Sequence, residues 1–323
     1  MLDEVNPAPK ASEAEDDPSG LSRRGALTCL VWAGTGILWT LSGGVPKSLG
    51  LIGDAFAAEA SAFTFLQISD SHIGFNKPAN PDALGTLREA IGKVKELIVK
   101  TRPAFMIHTG DITHLSKPDE FDNADQLIGE AKLNVHYVPG EHDVIDEGLG
   151  KAYLDRYGKG TKGAGWYSFD DHGVHFIGLV NVVDLKAGGL GKLGSDQLAW
   201  LADDLKDKSS STPIVVFAHI PLWTVYAEWG WGTDDGLQAL SLLKRFGSVT
   251  VLNGHIHQIV QKVEGNVTYQ TAMSTAFPQP KAGEGPAPAP MKVPAEQLRG
   301  VLGIREVQIV PAKAALITNV TLA

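Results

Sequence analysis

The chain has 323 residues, 43% of them hydrophobic, so it can bury a full core in one large domain or two small ones. A formal charge of -9 argues against nucleic acid as a partner, yet leaves room for a small phosphate substrate at a local metal site. The one cysteine, Cys29, lies in an N-terminal stretch that reads as an export signal. Its removal would exclude disulfides, thiolate metal sites and cysteine nucleophiles from the mature protein.

Residues 1–20 are polar and acidic, rich in Pro, Ser and Gly, and are expected to be disordered. Ser22, Arg23 and Arg24 then precede an uncharged, glycine-containing run, and Ala55-Phe56-Ala57 forms an A-x-A cleavage pattern. This order predicts a twin-arginine signal over residues 1–57 and a periplasmic or otherwise exported protein, with no stable membrane partner after cleavage. The alternative is an anchor formed by residues 25–46, long enough to span a bilayer. Residues 58–323 read as a single domain.

That domain opens with an α/β pattern. Residues 63–69 form a strand run, 81–100 have helical apolar spacing, 105–108 are a second strand, 119–132 a second helix and 134–138 a third strand. Strand, helix, strand, helix, strand implies parallel pairing with right-handed crossovers. Residues 166–180 read as two strands around an Asp-His-Gly turn. Residues 194–207 read as a helix with Ser195 as N-cap, followed by a strand (213–218), a helix (236–246) and a strand (248–253). The last third alternates in short segments, expected as antiparallel strands and hairpins. Residues 276–296 are Pro- and Gly-rich and must be a loop.

The polar residues that matter follow the apolar strands. Asp70 and His72 come after the first strand, Asp111 after the second, and Glu141-His142-Asp143 after the third. His219 follows residues 213–218, and His255 with His257 follows 248–253. In an open α/β sheet that edge is where ligands bind. A single strand-end histidine is ordinarily a hydrogen-bonded structural residue. Carboxylates and imidazoles at five strand ends are hard to produce by packing. With no thiolate among them, they suit Fe, Mn, Zn or Co.

The blocks Asp70-x-His72, Gly110-Asp111, Gly140-x-His142-Asp143, Val216-x-x-His219 and Gly254-His255-x-His257 resemble those of the calcineurin-like metallophosphoesterases. The stretches YSFDDHGVHFIGLV and LGSDQLAWLADDL are similar to its bacterial cyclic-nucleotide-phosphodiesterase-like branch. The resemblance implies a sandwich of two mixed β-sheets flanked by helices. It implies two metal ions, with Fe and Mn ahead of Zn and Co, about 3.5–4 Å apart. Asp70, His72 and His257 would hold the first, His219 and His255 the second, and Asp111 would bridge. A hydroxide bridging the cations would attack phosphorus in a small phosphoester. His142 would act as general acid, with Asp143 hydrogen-bonded to it and Gly140 allowing the tight turn that aims them. A phosphodiester, a cyclic nucleotide among the candidates, is expected ahead of a monoester. A metal-binding scaffold without hydrolytic activity is the rival from another class.

Two positions depart from the family pattern. Position 141 is usually Asn, a neutral ligand of the second metal. Here Glu141 would add a fourth negative charge to two aspartates and a hydroxide. Either Glu141 ligates and the site favours a higher-charge pair such as Fe(III) with a divalent ion, or it swings away and the second site weakens. Position 114, a Tyr in purple acid phosphatases, is His114. It is either a ligand or a loop residue facing substrate or solvent. The loop after His219 carries Trp223, Tyr226, Trp229 and Trp231. Trp223 and Tyr226 are candidates for stacking on a leaving group, or simply pack the loop. The 276–296 loop is a candidate wall of the site, or a partner-binding surface.

Overall fold

The computed structural model describes residues 37–42, 45–50, 62–146, 148, 150–183, 185–186, 188–310 and 315–323. The chain falls into two units, Met1–Ala58 and Glu59–Ala323. In the first, β1 (Ile37–Ser42) pairs antiparallel with β2 (Val45–Gly50), Ile37 opposite Gly50. The paired arginines, Cys29 and the A-x-A pattern lie outside the described residues. Among the described residues no helix is long and apolar enough to cross a membrane.

The second unit begins with β3 (Phe63–Ile68), α1 (Ala83–Thr101), β4 (Met106–His108), α2 (Pro118–Gly129) and β5 (Val135–Tyr137). Then come α3 (Lys151–Tyr157), β6 (Tyr167–Asp171), β7 (Val174–Gly178), α4 (Ser195–Leu205), β8 (Ile214–Phe217), α5 (Gly236–Leu243) and β9 (Val249–Asn253). The unit closes with β10 (Gln261–Glu264), β11 (Val267–Thr271), α6 (Ala295–Val301), β12 (Gly303–Ile309) and β13 (Leu316–Thr321). Two mixed sheets result, in the orders β13-β12-β3-β4-β5 and β10-β11-β9-β8-β7-β6. Strands β3, β4 and β5 run parallel, as do β7, β8, β9 and β11. The outer partners β6, β10, β12 and β13 are antiparallel to their neighbours.

The period of two along each strand builds the layers. Phe63 and Phe65 of β3, Ile107 of β4 and Val215 and Phe217 of β8 share one apolar cluster with Val174, Phe176, Leu252, Val307 and Ile309. Leu66, Ile68 and Met106 turn the other way, onto Leu87, Ile91 and Val94 of α1 and Phe121 and Ile128 of α2. Ile214 and Val216 do the same toward Leu201 and Leu205 of α4 and Leu240 and Leu243 of α5. Strands β3, β4, β7, β8 and β9 are buried on both faces, which is why they read as largely apolar runs.

Two expectations need correction, and two short helices were not foreseen. The end of the chain is not wholly antiparallel: β10 and β11 form a hairpin, but β11 lies parallel to β9. Gly194, not Ser195, occupies the N-cap of α4, and Asp235 accepts from the backbone N–H groups of Leu193 and Gly194 there. Helices α3 and α6, seven residues each, carry too few turns to show a periodic signal.

Candidate metal centre

The carboxyl ends of β3, β4, β5, β8 and β9 meet at one edge of the two sheets. To turn there within one or two residues, the chain adopts left-handed backbone at Asp70 (φ 53°), His72 (φ 42°), Asp111 (φ 52°), His255 (φ 69°) and His257 (φ 52°). Five non-glycine residues in that region at one site represent stored strain of a kind that clusters at functional sites. Between them, glycines admit the ligands. Gly110 has φ 91°, and a Cβ there would lie 2.6 Å from His219 Nδ1. Gly140 was expected to serve a tight turn, but its φ of -96° is ordinary. What it provides is space, because a Cβ would sit 2.1 Å from Asp111 Oδ1.

All seven expected ligands converge: Asp70, His72 and His257 form one group, Glu141, His219 and His255 another, and Asp111 joins Asp70 and His219 between them. His72 Nε2 and His257 Nε2 are 3.3 Å apart, and His257 Nε2 is 3.3 Å from Asp70 Oδ1. Asp111 Oδ2 stands 3.4 Å from both His72 Nε2 and His219 Nε2, so it belongs to both groups. Its other oxygen accepts from the His142 backbone N–H at 2.9 Å. Glu141 turns inward: Oε2 is 2.8 Å from His219 Nε2 and Oε1 is 2.9 Å from His255 Nδ1.

This donor set fits metal ions. Glu141 Oε2, His219 Nε2 and His255 Nδ1 are buried and make no hydrogen bond, although they face one another. Buried polar atoms that converge without pairing are costly unless a cation satisfies them. In His219 and His257 the second nitrogen is already committed. His219 Nδ1 donates to Thr109 O at 2.7 Å and His257 Nδ1 to Phe277 O at 2.5 Å, which leaves Nε2 as the ligand atom in each. The electrostatics agree. Burial works against ionised Glu141, but His255 and His219 outweigh it and hold its pKa well below the usual value. Asp70 is lowered likewise, burial being outweighed by His257 and His219. Burial, then His142 and His257, keep the His72 imidazole neutral. For His219, burial is outweighed by Asp111 and Glu141, so positive charge is favoured at the nitrogen that faces them.

His142 sits beside this cluster on a short turn, Glu141–Asp143. Its Nδ1 donates to His114 O at 2.7 Å. Burial would lower its pKa, but Asp111, Glu141 and the His114 carbonyl raise it above the usual value. The expected bond from Asp143 to His142 is not present. Asp143 is fully buried and accepts from the backbone N–H groups of Ile112 (3.0 Å), Thr113 (2.8 Å) and Gly140 (2.9 Å), and from Thr113 Oγ1 (2.9 Å). It is therefore a positioning residue that ties the turn after β5 to the turn after β4. Burial and Asp111 push its pKa up to about 6 against those donors.

Other sequence candidates divide. His114 stacks on His142, ring centroids 4.9 Å apart at 16°, and lines the cavity over the metal ligands; its own group, with His72 and His142, lies at the same edge. Trp223 is a core residue packed on Tyr269 and does not line that cavity. Tyr226 is also outside it, its hydroxyl donating to Glu228 at 2.6 Å. Trp231 is the residue of that loop that reaches the cavity, with Phe277, Gln279 and the Pro288-Ala289-Pro290 strap. The Pro-rich loop is thus a wall, as expected. Sequence reasoning missed the support behind Asp70. Buried Arg305 donates to Gln67 Oε1, Gln67 to Thr109 Oγ1, Thr109 to Ser69 Oγ and Ser69 to Asp70 Oδ2, at 3.2, 3.0, 2.7 and 2.5 Å. A guanidinium only donates, so the direction of the whole chain is fixed. Only the placement of Ser69 next to Asp70 signals any of this in the sequence.

Residues 63–259 match the Calcineurin-like phosphoesterase family. The chain is 26% identical over 196 residues to the glycerophosphodiester phosphodiesterase GpdQ of Enterobacter lignolyticus, covering 59% of this chain and 69% of that one. It is 25% identical over 236 residues to a Synechococcus protein named "Probable cyclic nucleotide phosphodiesterase", covering 71% and 88%. Among solved structures, a dimetal phosphatase from Danio rerio superposes with a TM-score of 0.53 at 15% identity, over 81% of this chain and 99% of that one. A purple acid phosphatase from yellow lupin superposes with a TM-score of 0.60 at 13% identity, over 81% and 52%. The two mixed sheets with flanking helices, the strand-end His and Asp groups and the family match over most of the second unit lead to one assignment: the chain belongs to the calcineurin-like phosphoesterase family.

Proposed function

We propose that this chain is an exported, dinuclear-metal phosphodiesterase. The observation that carries the reading is the pair of ligand groups joined by Asp111, with His142 beside them on a cavity of about 200 Å³. Asp70, His72 and His257 would hold one ion, Glu141, His219 and His255 the other, and Asp111 both; Fe and Mn come first, then Zn and Co. When bound, such a pair supplies neutralisation of phosphoryl charge and a nucleophile drawn from water at neutral pH.

The protein's own groups do the rest. Asp111 is held by the His142 amide, so one oxygen stays fixed between the two groups. His142, oriented by the His114 carbonyl, keeps Nε2 for the cavity it lines and would give its proton to the departing alkoxide. Asp143 fixes the turn that carries His142. Trp231, Phe277 and the Pro288–Pro290 strap would shield the reacting phosphate from bulk water.

The phosphodiesterase names of the relatives support a diester substrate, and cyclic nucleotides are candidates within that class. The test is a panel of bis-p-nitrophenyl phosphate, p-nitrophenyl phosphate and cyclic nucleotides, each with Mn, Fe, Zn and Co. Diester turnover exceeding monoester turnover is expected. Faster monoester turnover would make it a phosphatase, and none with any metal would leave the scaffold reading.

Export rests on Arg23, Arg24 and the A-x-A pattern. Changing both arginines to Lys should retain activity in the cytoplasm of the native host. Unimpaired export of that variant would contradict the twin-arginine route.

A further inference from the structure

Charge sets a constraint on what this cavity can admit. Three carboxylates, Asp70, Asp111 and Glu141, belong to the ligand groups. The described residues lining the cavity are His72, Asp111, His114, Glu141, His142, Trp231, His255, Phe277, Gln279 and the Pro288–Pro290 strap, with no Lys or Arg among them. Lys77 and Lys117 are close enough to bear on His114, but neither lines the cavity. Two divalent ions, if bound, would be balanced by these three carboxylates and a hydroxide, leaving the centre itself no net positive charge. A monoanion can enter such a centre at modest cost. A dianion brings a second charge that no Lys or Arg of the lining offsets, and the one proton on His142 serves both ester classes alike.

We infer that Glu141 is a specificity-determining residue, whose carboxylate makes the centre discriminate against dianionic phosphomonoesters in favour of monoanionic phosphodiesters. This rests on the phosphodiesterase reading above and adds a cause to it. Glu141 is the member suited to the task. Its side chain is a quarter exposed to the cavity, whereas those of Asp70 and Asp111 are almost wholly buried. Its two oxygens point at His219 and His255, so its charge stays at the edge where the phosphoryl oxygens must arrive. A neutral amide of the same length would keep an oxygen for the metal and remove the repulsion. One unit of charge acting on the extra unit of a dianion is worth about tenfold or more in a partly buried site.

The experiment compares the parent with Glu141→Gln and Glu141→Asp at about pH 8, above the second phosphate pKa of about 6. For each, kcat/KM is measured for p-nitrophenyl phosphate and bis-p-nitrophenyl phosphate, which share a leaving group. Their ratio cancels differences in metal loading. Calorimetry on the metal-loaded proteins compares inorganic phosphate with dimethyl phosphate, and reads the same charge even where a variant turns over neither ester. Glu141→Gln is expected to raise the monoester-to-diester ratio at least about tenfold and to tighten phosphate relative to dimethyl phosphate, while Glu141→Asp, whatever its absolute activity, keeps the parent's ratio and relative anion preference. An unchanged ratio and unchanged anion preference in Glu141→Gln would overturn the inference and leave the phosphodiesterase reading standing. So would Glu141→Asp shifting as far as Glu141→Gln, since length and not charge would then be responsible. A parent that turns over no phosphoester overturns both.

Discussion

Asp111→Asn is expected to empty both metal sites at micromolar metal and to lower diester turnover on the order of a thousandfold. Substitutions behind a metal ligand already cost about 10–100-fold in affinity or activity, and Asp111 stands at the ligand position itself, in both groups. Asp111 Oδ2 is 3.4 Å from His72 Nε2 on one side and from His219 Nε2 on the other, while Oδ1 is taken by the His142 amide. An asparagine offers one acceptor oxygen to a place that needs an anion shared by two cations. Its amide N–H₂ would then have to face either the His142 N–H or the metals, and both arrangements set positive against positive. Metal analysis after gel filtration, with steady-state kinetics at saturating metal, checks this. A variant that keeps two ions and most of its turnover would show that Asp111 is not the bridge.

His142→Gln should separate chemistry from metal binding. General acid assistance contributes about 10²–10⁴-fold, and that loss is expected in diester kcat with metal content unchanged. The sign of the pH effect follows from the proton's role. The parent needs His142 protonated, and Asp111, Glu141 and the His114 carbonyl favour that form against burial. Activity should therefore fall as pH rises through the His142 pKa, and the Gln variant should lack that alkaline limb. A second signature is the leaving group. A poor leaving group such as an alkyl alcohol needs the proton more than p-nitrophenolate does, so the loss should be larger for glycerol diesters than for p-nitrophenyl ones. Equal losses for both leaving groups would place His142 in phosphate orientation instead.

The convergence of these His and carboxylate groups was legible because metal chemistry demands particular residue types and the fold delivers them at predictable places. Each of Asp70, Asp111, Glu141, His219 and His255 follows a strand of the parallel runs, β5 at a sheet edge and the others inside, and parallel strands gather their carboxyl ends at one edge. The same logic placed the helices α1, α2, α4 and α5, whose apolar faces cover those strands. What stayed illegible depends on partners distant in sequence. Asp143 reads as the neighbour of His142, yet its carboxylate is claimed by backbone amides about 30 positions earlier, at Ile112 and Thr113. Trp223 and Trp231 are equivalent in a loop sequence. The first faces Tyr269 in the core and the second the cavity, a difference set by how the loop folds back on itself through the Tyr226–Trp231 bridge. The chain from Arg305 to Asp70 joins residues separated by more than 200 positions in the sequence. Strand direction at β11 was missed because short alternating segments carry a period and no polarity.

The central claim is a two-ion centre held by Asp70, His72, Asp111, Glu141, His219, His255 and His257. Counting metal ions bound per chain, by calorimetric titration of the chelated protein with Mn or Zn and elemental analysis of the product, tests it most directly. Two ions per chain, with diester turnover appearing as both are filled, is the predicted result. One ion or none at saturation, or full turnover in the chelated protein, would contradict it.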